Sequence, residues 1–253
     1  TYLASATSYV TDVTPDHYRG TALGVYRMVV TFSMMIGPPV SFYIINSFGF
    51  DAFFLFYSLV GAGAFLGVMT LPKESSSSYG EGAGHEKIGA ADIVALFREP
   101  KVRASYIGIL LGSAFGGILM TYVAIYVERS TEIANPAFYF TLYAGIGALS
   151  AAVIGRLSDR YGRRTFVLPS MLIMAFGLVL LAVLSRYPLA VFFFSALTAG
   201  IGYHAALAIF ISRVVDGADS RMKATALAFQ ESSIDLGISL GIFVFGLLIG
   251  SFS

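Results

Sequence analysis

The sequence contains no cysteine and few charged residues, and both shortages narrow the possible functions. Without Cys, disulfides, thiolate metal sites and Cys nucleophiles are excluded within these 253 residues. Asp, Glu, Lys and Arg together make up 12% of the chain, whereas a soluble domain of this size usually carries about 25%. The formal net charge of +1 says little about partners, and nothing in the sequence suggests a nucleic acid. The low charge points away from a soluble protein.

Apolar residues make up 57% of the sequence, its mean hydropathy is +0.77, and long runs carry no charge. A run of about 20 apolar residues is enough to cross the hydrocarbon core of a bilayer as a helix. A β-barrel would alternate apolar and polar residues over segments of about ten residues, and these runs do not alternate. The sequence therefore predicts an all-α polytopic membrane protein.

We expect one half helix followed by seven complete spans. Residues 1–13 are too short to span a membrane and resemble the last half of a helix, which ends at Asp12 before Pro15 and a polar turn. The sequence has no initiator Met and no cleavable signal segment, so we expect a fragment of a longer chain. The predicted spans are 21–45, 52–71, 104–127, 137–154, 165–184, 189–211 and 224–252.

Between the second and third spans lies a polar segment. Residues 73–87 are rich in Ser, Gly and charge, which predicts a flexible linker. Residues 88–99 fit two interpretations: a short amphipathic helix on the membrane surface, or more solvated linker.

The basic residues are distributed unequally between the two sides of the membrane. With alternating spans, one side receives the loops at 14–20, 72–103, 155–164 and 212–223, which hold 13 of the 16 Lys and Arg residues. The positive-inside rule makes that side cytoplasmic. We expect the plasma (inner) membrane.

The sequence contains an internal repeat at an offset of 204 residues. Residues 19–24 align with 223–228, and Asp12 aligns with Asp216. In both copies a span ends at an acid, a basic turn follows, and Thr-Ala-Leu opens the next span. Both copies run in the same direction, as in transporters built from two similar halves. The offset leads us to expect a parent of twelve helices, with this chain running from the end of the fourth to the eleventh.

Three motifs resemble those of the major facilitator superfamily. The segment Gly155-x-Leu157-Ser158-Asp159-Arg160-x-Gly162-Arg163-Arg164 matches the family's signature loop, which the resemblance places between helices eight and nine. Asp12-x2-Pro15-x3-Arg19-Gly20 resembles the loop between helices four and five. Gly24-x8-Ser33-x3-Gly37-Pro38 resembles the helix-five motif associated with exporters, although Ser33 stands where Gly is common and Ser41-Phe42 replaces the usual closing Gly pair.

The resemblance implies the fold of that family, with two pseudo-symmetric six-helix bundles in the full parent. On this basis we divide the chain into three parts. Residues 1–72 would be the C-terminal part of the N-terminal bundle, and 73–103 a cytoplasmic linker. Residues 104–253 would be a C-terminal bundle that lacks its last helix.

The signature loop can be interpreted from its residues. Gly155 and Gly162 allow a turn and a close approach of helices, and Asp159 can face a helix N-terminus. The basic residues that can pair with acids or lipid phosphates are Arg160, Arg163 and Arg164. By the resemblance, Asp159, Arg163 and Asp216 would form a charge cluster that latches the two halves in the outward-open state. The alternative is that the arginines only set topology.

Three charged residues, Arg27, Glu231 and Asp235, lie within predicted spans. A charge in lipid costs several kcal/mol unless it faces the protein interior or water, so such residues suggest function. Glu231 and Asp235 share a helix face, and two carboxylates in a low dielectric disfavour double ionisation, which suits a proton carrier. The alternative is a structural ion pair across the interface of the halves.

Other candidates lie in the spans. His204 is either a packing residue or a substrate or proton site, and Tyr122 could face substrate or the interfacial belt. Gly37-Pro38-Pro39 should kink its helix as a hinge or seal, or merely relieve packing.

These features predict a secondary active transporter that works by alternating access. The favoured mode is proton-coupled export of small hydrophobic or drug-like compounds. The alternatives are proton-coupled uptake of a sugar or organic anion, which Arg27 would suit, and a non-transporting receptor or scaffold on the same fold. No nucleophile–base or metal constellation appears, so we expect no enzyme, metal or cofactor. The expected partners are a small-molecule substrate, protons or another coupling ion, and the lipid bilayer, with the protein a monomer.

Overall fold

A computed structural model describes residues 9–10, 14, 19–70 and 89–252 of the chain. All regular structure in these residues is helical. The predicted linker at 73–87 and most of the predicted half helix lie outside the described residues, so the division of the chain at 72 and 103 stays a prediction. The helices are α1 (Arg19–Met69), α2 (Ala90–Arg98), α3 (Pro100–Ser130), α4 (Phe138–Tyr161), α5 (Arg163–Leu181), α6 (Pro188–Gly217) and α7 (Lys223–Phe252), with a 3-10 turn at Ser220–Met222.

Six of the described helices are long and apolar enough to cross a membrane, and α1 contains two crossings. Its dihedral angles leave the helical region at Gly49, where φ is 80° and ψ is 177°. The Ser41 and Tyr57 hydroxyl oxygens lie 2.6 Å apart, although 16 residues of straight helix would separate them by about 24 Å. The chain therefore folds back at Gly49 into two arms. The turn predicted at residues 46–51 therefore consists of Gly49 alone. One residue is enough because glycine adopts a positive φ without steric cost.

The signature segment differs from the loop that the sequence predicts at 155–164. α4 continues helically to Tyr161, α5 begins at Arg163, and only Gly162 leaves the helical region, with φ at 93°. Arg, Leu and Tyr are acceptable helix residues, so polarity alone does not end α4. The two helices are thus joined by a one-residue turn.

The C-terminal helices pack closely through glycines. α6 lies at the centre, against α3, α4 and α5, while α7 packs along α3. A Cβ added at Gly202 of α6 would overlap backbone atoms of Ser170 and Met174 in α5, and one at Gly241 of α7 would overlap the backbone of Ala114 in α3. These approaches are possible only because glycine has no side chain.

Helix α2 lies within residues 88–99, for which the sequence allowed either a helix on the membrane surface or a solvated linker. It packs on the C-terminal helices: Leu96 is buried, and the Phe97 ring contacts the rings of Tyr106 and Phe229. Asp92 forms an ion pair with Arg221. Helix α2 is therefore docked against α3 and the start of α7.

Helix α1 packs chiefly against α4 among the described elements. Its second arm carries large apolar side chains that are mostly exposed, among them Phe54, Leu55, Leu59, Phe65 and Leu66. Its first arm begins at Arg19 and α7 begins at Lys223, and these positions are equivalent under the repeat.

Candidate functional site

The structure brings together Asp159, Arg163 and Asp216. Arg163 Nη2 lies 3.3 Å from Asp159 Oδ1, and Arg163 Nε lies 3.1 Å from Asp216 Oδ2. The Gly162 turn places Arg163 in the first turn of α5, where it reaches the end of α4 on one side and the end of α6 on the other. All three residues belong to the C-terminal helices. Within the described residues these ion pairs join α4, α5 and α6, and the expected latch between the two halves stays a prediction.

The remaining residues of the signature segment have different surroundings. Arg160 and Arg164 are exposed, and the Arg160 guanidinium lies 5.3 Å from the ring centroid of its neighbour Tyr161. Gly162 makes the turn, as expected, but Gly155 is helical, and a Cβ there would meet no atom within 4 Å. Among the described residues, Gly155 therefore neither makes the turn nor allows a close helix approach, and its packing role stays a prediction.

The helix-five motif lies in the first arm of α1. Gly24 and Gly37 are both within the helix, and a Cβ at Gly37 would meet no atom within 4 Å. The backbone stays helical through Pro38 and Pro39, and α1 breaks only at Gly49. The Ser41 hydroxyl donates to the Gly37 carbonyl at 2.8 Å, which adds a hydrogen-bond donor near the prolines.

The motif is also where α1 meets α4. The Thr141 hydroxyl donates to the Met35 carbonyl at 2.7 Å, and the Asn135 amide donates to the Pro39 carbonyl at 3.3 Å. Sequence reasoning missed Thr141 and Asn135. Their partners are backbone carbonyls about a hundred residues away, and no local pattern marks such a donor.

The carboxylates of the last span lie in different environments. Glu231 is partly buried. Asp235 is exposed among the described residues. The backbone of Arg27 lies in α1, but its side chain is outside what the structure describes. The two carboxylates thus differ in burial although they lie one helical turn apart.

His204 is embedded in an aromatic cluster. Its ring centroid is 5.0 Å from that of Tyr143 and 5.2 Å from that of Tyr203, and its ring fills the space left by Gly147 of α4. Nδ1 lies 3.0 Å from the Gly200 carbonyl. Because a carbonyl only accepts, Nδ1 carries the hydrogen, and Nε2 is the nitrogen left to take a proton or a ligand.

Two buried polar side chains, Tyr143 of this cluster and Gln230 of α7, were also missed by sequence reasoning. The Tyr143 hydroxyl is buried without a hydrogen-bond partner among the described residues. Gln230 is fully buried, and neither of its amide atoms has a partner within the described part of the chain. Neither residue stands out in the sequence, because no local pattern shows which polar side chains of a span will be buried without a partner.

Tyr122 has a packing role in the structure. Its hydroxyl donates to the Ile242 carbonyl at 3.0 Å, and its ring lies 5.1 Å from that of Phe245. Both contacts join α3 to α7. Within the described ranges, no group of three or more His, Asp or Glu residues could hold a metal ion.

Comparisons with known proteins agree with this architecture. The sequence model of the Major Facilitator Superfamily matches residues 1–134 and 130–253. The chain is 22% identical over 246 residues to the "Uncharacterized MFS-type transporter MJ1560" of Methanocaldococcus jannaschii, a match that covers 96% of this chain and 63% of that protein. It is 25% identical over 178 residues to the "Multidrug resistance protein MdtG" of Enterobacter lignolyticus, covering 68% of this chain and 42% of that protein.

The chain thus spans less than two thirds of the length of these curated relatives. The family match nevertheless extends from one end of the sequence to the other, and the helices have the length and apolarity that a multi-pass membrane protein needs. We conclude that the chain belongs to the Major Facilitator Superfamily.

Proposed function

We propose that the intact protein is a secondary active transporter that exports small hydrophobic or drug-like compounds in exchange for protons. The observation that carries the coupling is the pair of carboxylates in α7. Glu231 and Asp235 lie one helical turn apart in a span of mean hydropathy 2.0. A charged side chain in such a span costs free energy, so its presence there suggests a functional role. Proton exchange at one of them would couple an inward flow of protons to the movement of substrate.

Two observations support the export direction. One is the helix-five motif in α1, and the other is the name of the relative from Enterobacter lignolyticus, a multidrug resistance protein. In this proposal the protein is a plasma-membrane monomer that needs no cofactor, with the loops at 14–20, 72–103, 155–164 and 212–223 in the cytoplasm.

A second function, proton-coupled uptake of a sugar or an organic anion, is favoured by one residue. Arg27 lies in α1, directly before the apolar segment Met28–Met69, and a guanidinium facing a central cavity would bind an anion well. The two functions differ in the direction of transport.

The test is transport by the intact protein in inside-out vesicles, with a panel of lipophilic cationic dyes, sugars and organic anions under an imposed pH gradient. We expect proton-driven accumulation of a dye, and we expect Asp235→Asn to abolish the dependence on the gradient. Ser232→Ala is the matched control, because Ser232 is also exposed on α7 and its hydroxyl bonds its own helix.

Each of the other outcomes would support a different function or refute the coupling assignment. Accumulation only in right-side-out vesicles would favour uptake. Unchanged proton-driven flux in both Asp235→Asn and Glu231→Gln would refute the coupling assignment. Binding of a compound without flux in either orientation would favour a receptor or scaffold.

A further inference from the structure

The two prolines of α1 remove hydrogen-bond donors from the backbone. In an α-helix, the N–H of each residue bonds the carbonyl four positions earlier. Pro39 has no N–H, so the carbonyl of Met35 has no intrahelical donor of that kind, and Pro38 has the same effect on Met34. A carbonyl that lacks a donor in an apolar environment costs free energy unless another group bonds it.

The missing donor comes from α4. The Thr141 hydroxyl donates to the Met35 carbonyl at 2.7 Å, and the Asn135 amide donates to the carbonyl of Pro39 itself at 3.3 Å. α1 and α4 also pack closely near these bonds. The Met35 sulfur lies beside Gly145, where an added Cβ would be 3.3 Å from it. Phe42 packs against the buried cluster that contains Ala137 and Phe140.

This contact lies toward one end of the membrane. Met35 and Pro39 follow the start of α1 at Arg19 by 16 and 20 residues, which is about 24 to 30 Å along a helix. By the predicted sidedness, that end is the outer one. Nearer the cytoplasmic end of the same arm, Val25, Met28 and Val29 are each more than half exposed.

We propose that Thr141 and Asn135 hold the outer ends of the two halves closed by bonding the carbonyls around the proline pair, and that both bonds break in each transport cycle. The proposal rests on the proposed function, because it takes α1 and α4 as parts of the two halves that move apart. It assigns to two polar residues of α4 and its preceding loop a role in positioning the halves.

The chemistry suits a contact that opens and closes. When the outer end opens, water reaches the Met35 carbonyl and replaces the hydroxyl. The Thr141 hydroxyl can turn to the carbonyl of Ala137, four residues earlier in its own helix, as threonines in helices commonly do. Both groups therefore have partners in both states, so opening exchanges one set of hydrogen bonds for another. The Thr141 bond then favours the closed state by roughly a two- to tenfold change in an equilibrium constant.

The test measures the separation of the outer ends in the intact protein. The 253 residues contain no Cys, so once any Cys elsewhere in the intact protein is replaced by Ser, spin labels can be attached at Ser47→Cys in α1 and Glu132→Cys in the loop before α4, both exposed positions. Distances between the labels are measured by pulsed electron paramagnetic resonance in lipid nanodiscs. Thr141→Val removes the hydroxyl with little change in shape, whereas Thr141→Ser keeps it.

We expect a short distance to dominate in the parent protein. In Thr141→Val the ratio of long to short distances should rise about fivefold, and Thr141→Ser should resemble the parent. Asn135→Asp keeps the oxygen that accepts the Ala137 N–H but removes the amide donor, and it should shift the ratio in the same direction. The control is Thr198→Val, because the Thr198 hydroxyl bonds the carbonyls of its own helix.

An unchanged distance ratio in both Thr141→Val and Asn135→Asp would overturn the proposal, as would an equal shift in Thr198→Val. A single distance in every variant and condition would also overturn it, because the bonds would then never break. The readout does not depend on transport. If the vesicles show no flux but Thr141→Val still shifts the ratio, the proposed function fails while the assignment of Thr141 stands.

Discussion

Two helix contacts in this molecule are built differently. Where α7 packs on α3, Gly237 and Gly241 bring it against the backbones of Leu110 and Ala114. Where α1 packs on α4, side chains lie between the helices, and hydroxyl and amide groups donate to carbonyls. The first contact has no room for a side chain, and separating it would leave gaps that nothing fills. The second can exchange its donors for water. The comparison indicates which contact stays closed and which can open.

The largest expected effect comes from adding one methyl group to the contact between α3 and α7. Gly241→Ala places a Cβ in the backbone of Ala114, so α7 must move away from α3. Overpacking of this kind costs about 1–3 kcal/mol and occasionally more. We expect a clear fall in the Tm of the detergent-solubilised intact protein and reduced expression.

Gly145→Ala is the matched control in the α1–α4 contact. Its Cβ would meet only the Met35 sulfur, at 3.3 Å, and a thioether side chain adapts readily. The Tm should change little, because replacing a helical Gly by Ala also removes a helix-propensity cost of about 1 kcal/mol. Equal losses in the two variants would contradict the distinction between the contacts.

A smaller effect is expected at the ion pairs of the signature segment. Arg163→Ala leaves Asp159 and Asp216 without the cation between them. Their side chains are 65% and 55% exposed, so solvent limits the loss to about 1 kcal/mol. Because the three residues belong to one bundle, the Tm should fall while the distance between labels at Ser47 and Glu132 stays unchanged.

Arg160→Ala is the control for that prediction, since Arg160 is exposed and contacts the ring of its neighbour. A change in the outer distance in Arg163→Ala alone would instead support a role for the cluster in joining the two halves.

The smallest effect is expected where α2 meets the turn before α7. Asp92→Asn removes the charge that pairs with Arg221 but keeps an oxygen that can accept the Gly89 N–H, as the carboxylate does now. Both side chains are partly exposed, so the loss of stability should be under about 1 kcal/mol. It should vanish when the Tm is measured in about 1 M salt, where the Debye length is about 3 Å. A loss that persists in salt would show that packing at α2 was disturbed.

The sequence predicted the crossings well, because their signal is composition spread over 20 or so residues. It placed their ends less well. The signature segment was expected as a ten-residue loop, but only Gly162 leaves the helix, since charge does not prevent helix formation where the membrane ends. The turn at Gly49 was likewise expected to be longer.

The candidate sites also differ in how far the sequence could predict them. The proximity of Asp159, Arg163 and Asp216 was expected from the family resemblance, because no local spacing relates residues 57 positions apart in the chain. For the α1–α4 contact, Pro38 and Pro39 mark in the sequence which carbonyls lose a donor. Nothing marks Thr141 as the donor, because that depends on how two distant helices come together.

The repeat makes the proline pair an asymmetric feature of the molecule. At the offset of 204, Gly37 corresponds to Gly241, while Pro38 and Pro39 correspond to Ile242 and Phe243. α7 therefore keeps the backbone donors that α1 has lost. If α7 forms the equivalent contact with the other half, that contact has no bare carbonyl to offer. Under the proposed function, we therefore expect the two symmetry-related contacts between the halves, one at α1 and one at α7, to differ in stiffness. The halves would separate first along α1 and turn about the contact at α7.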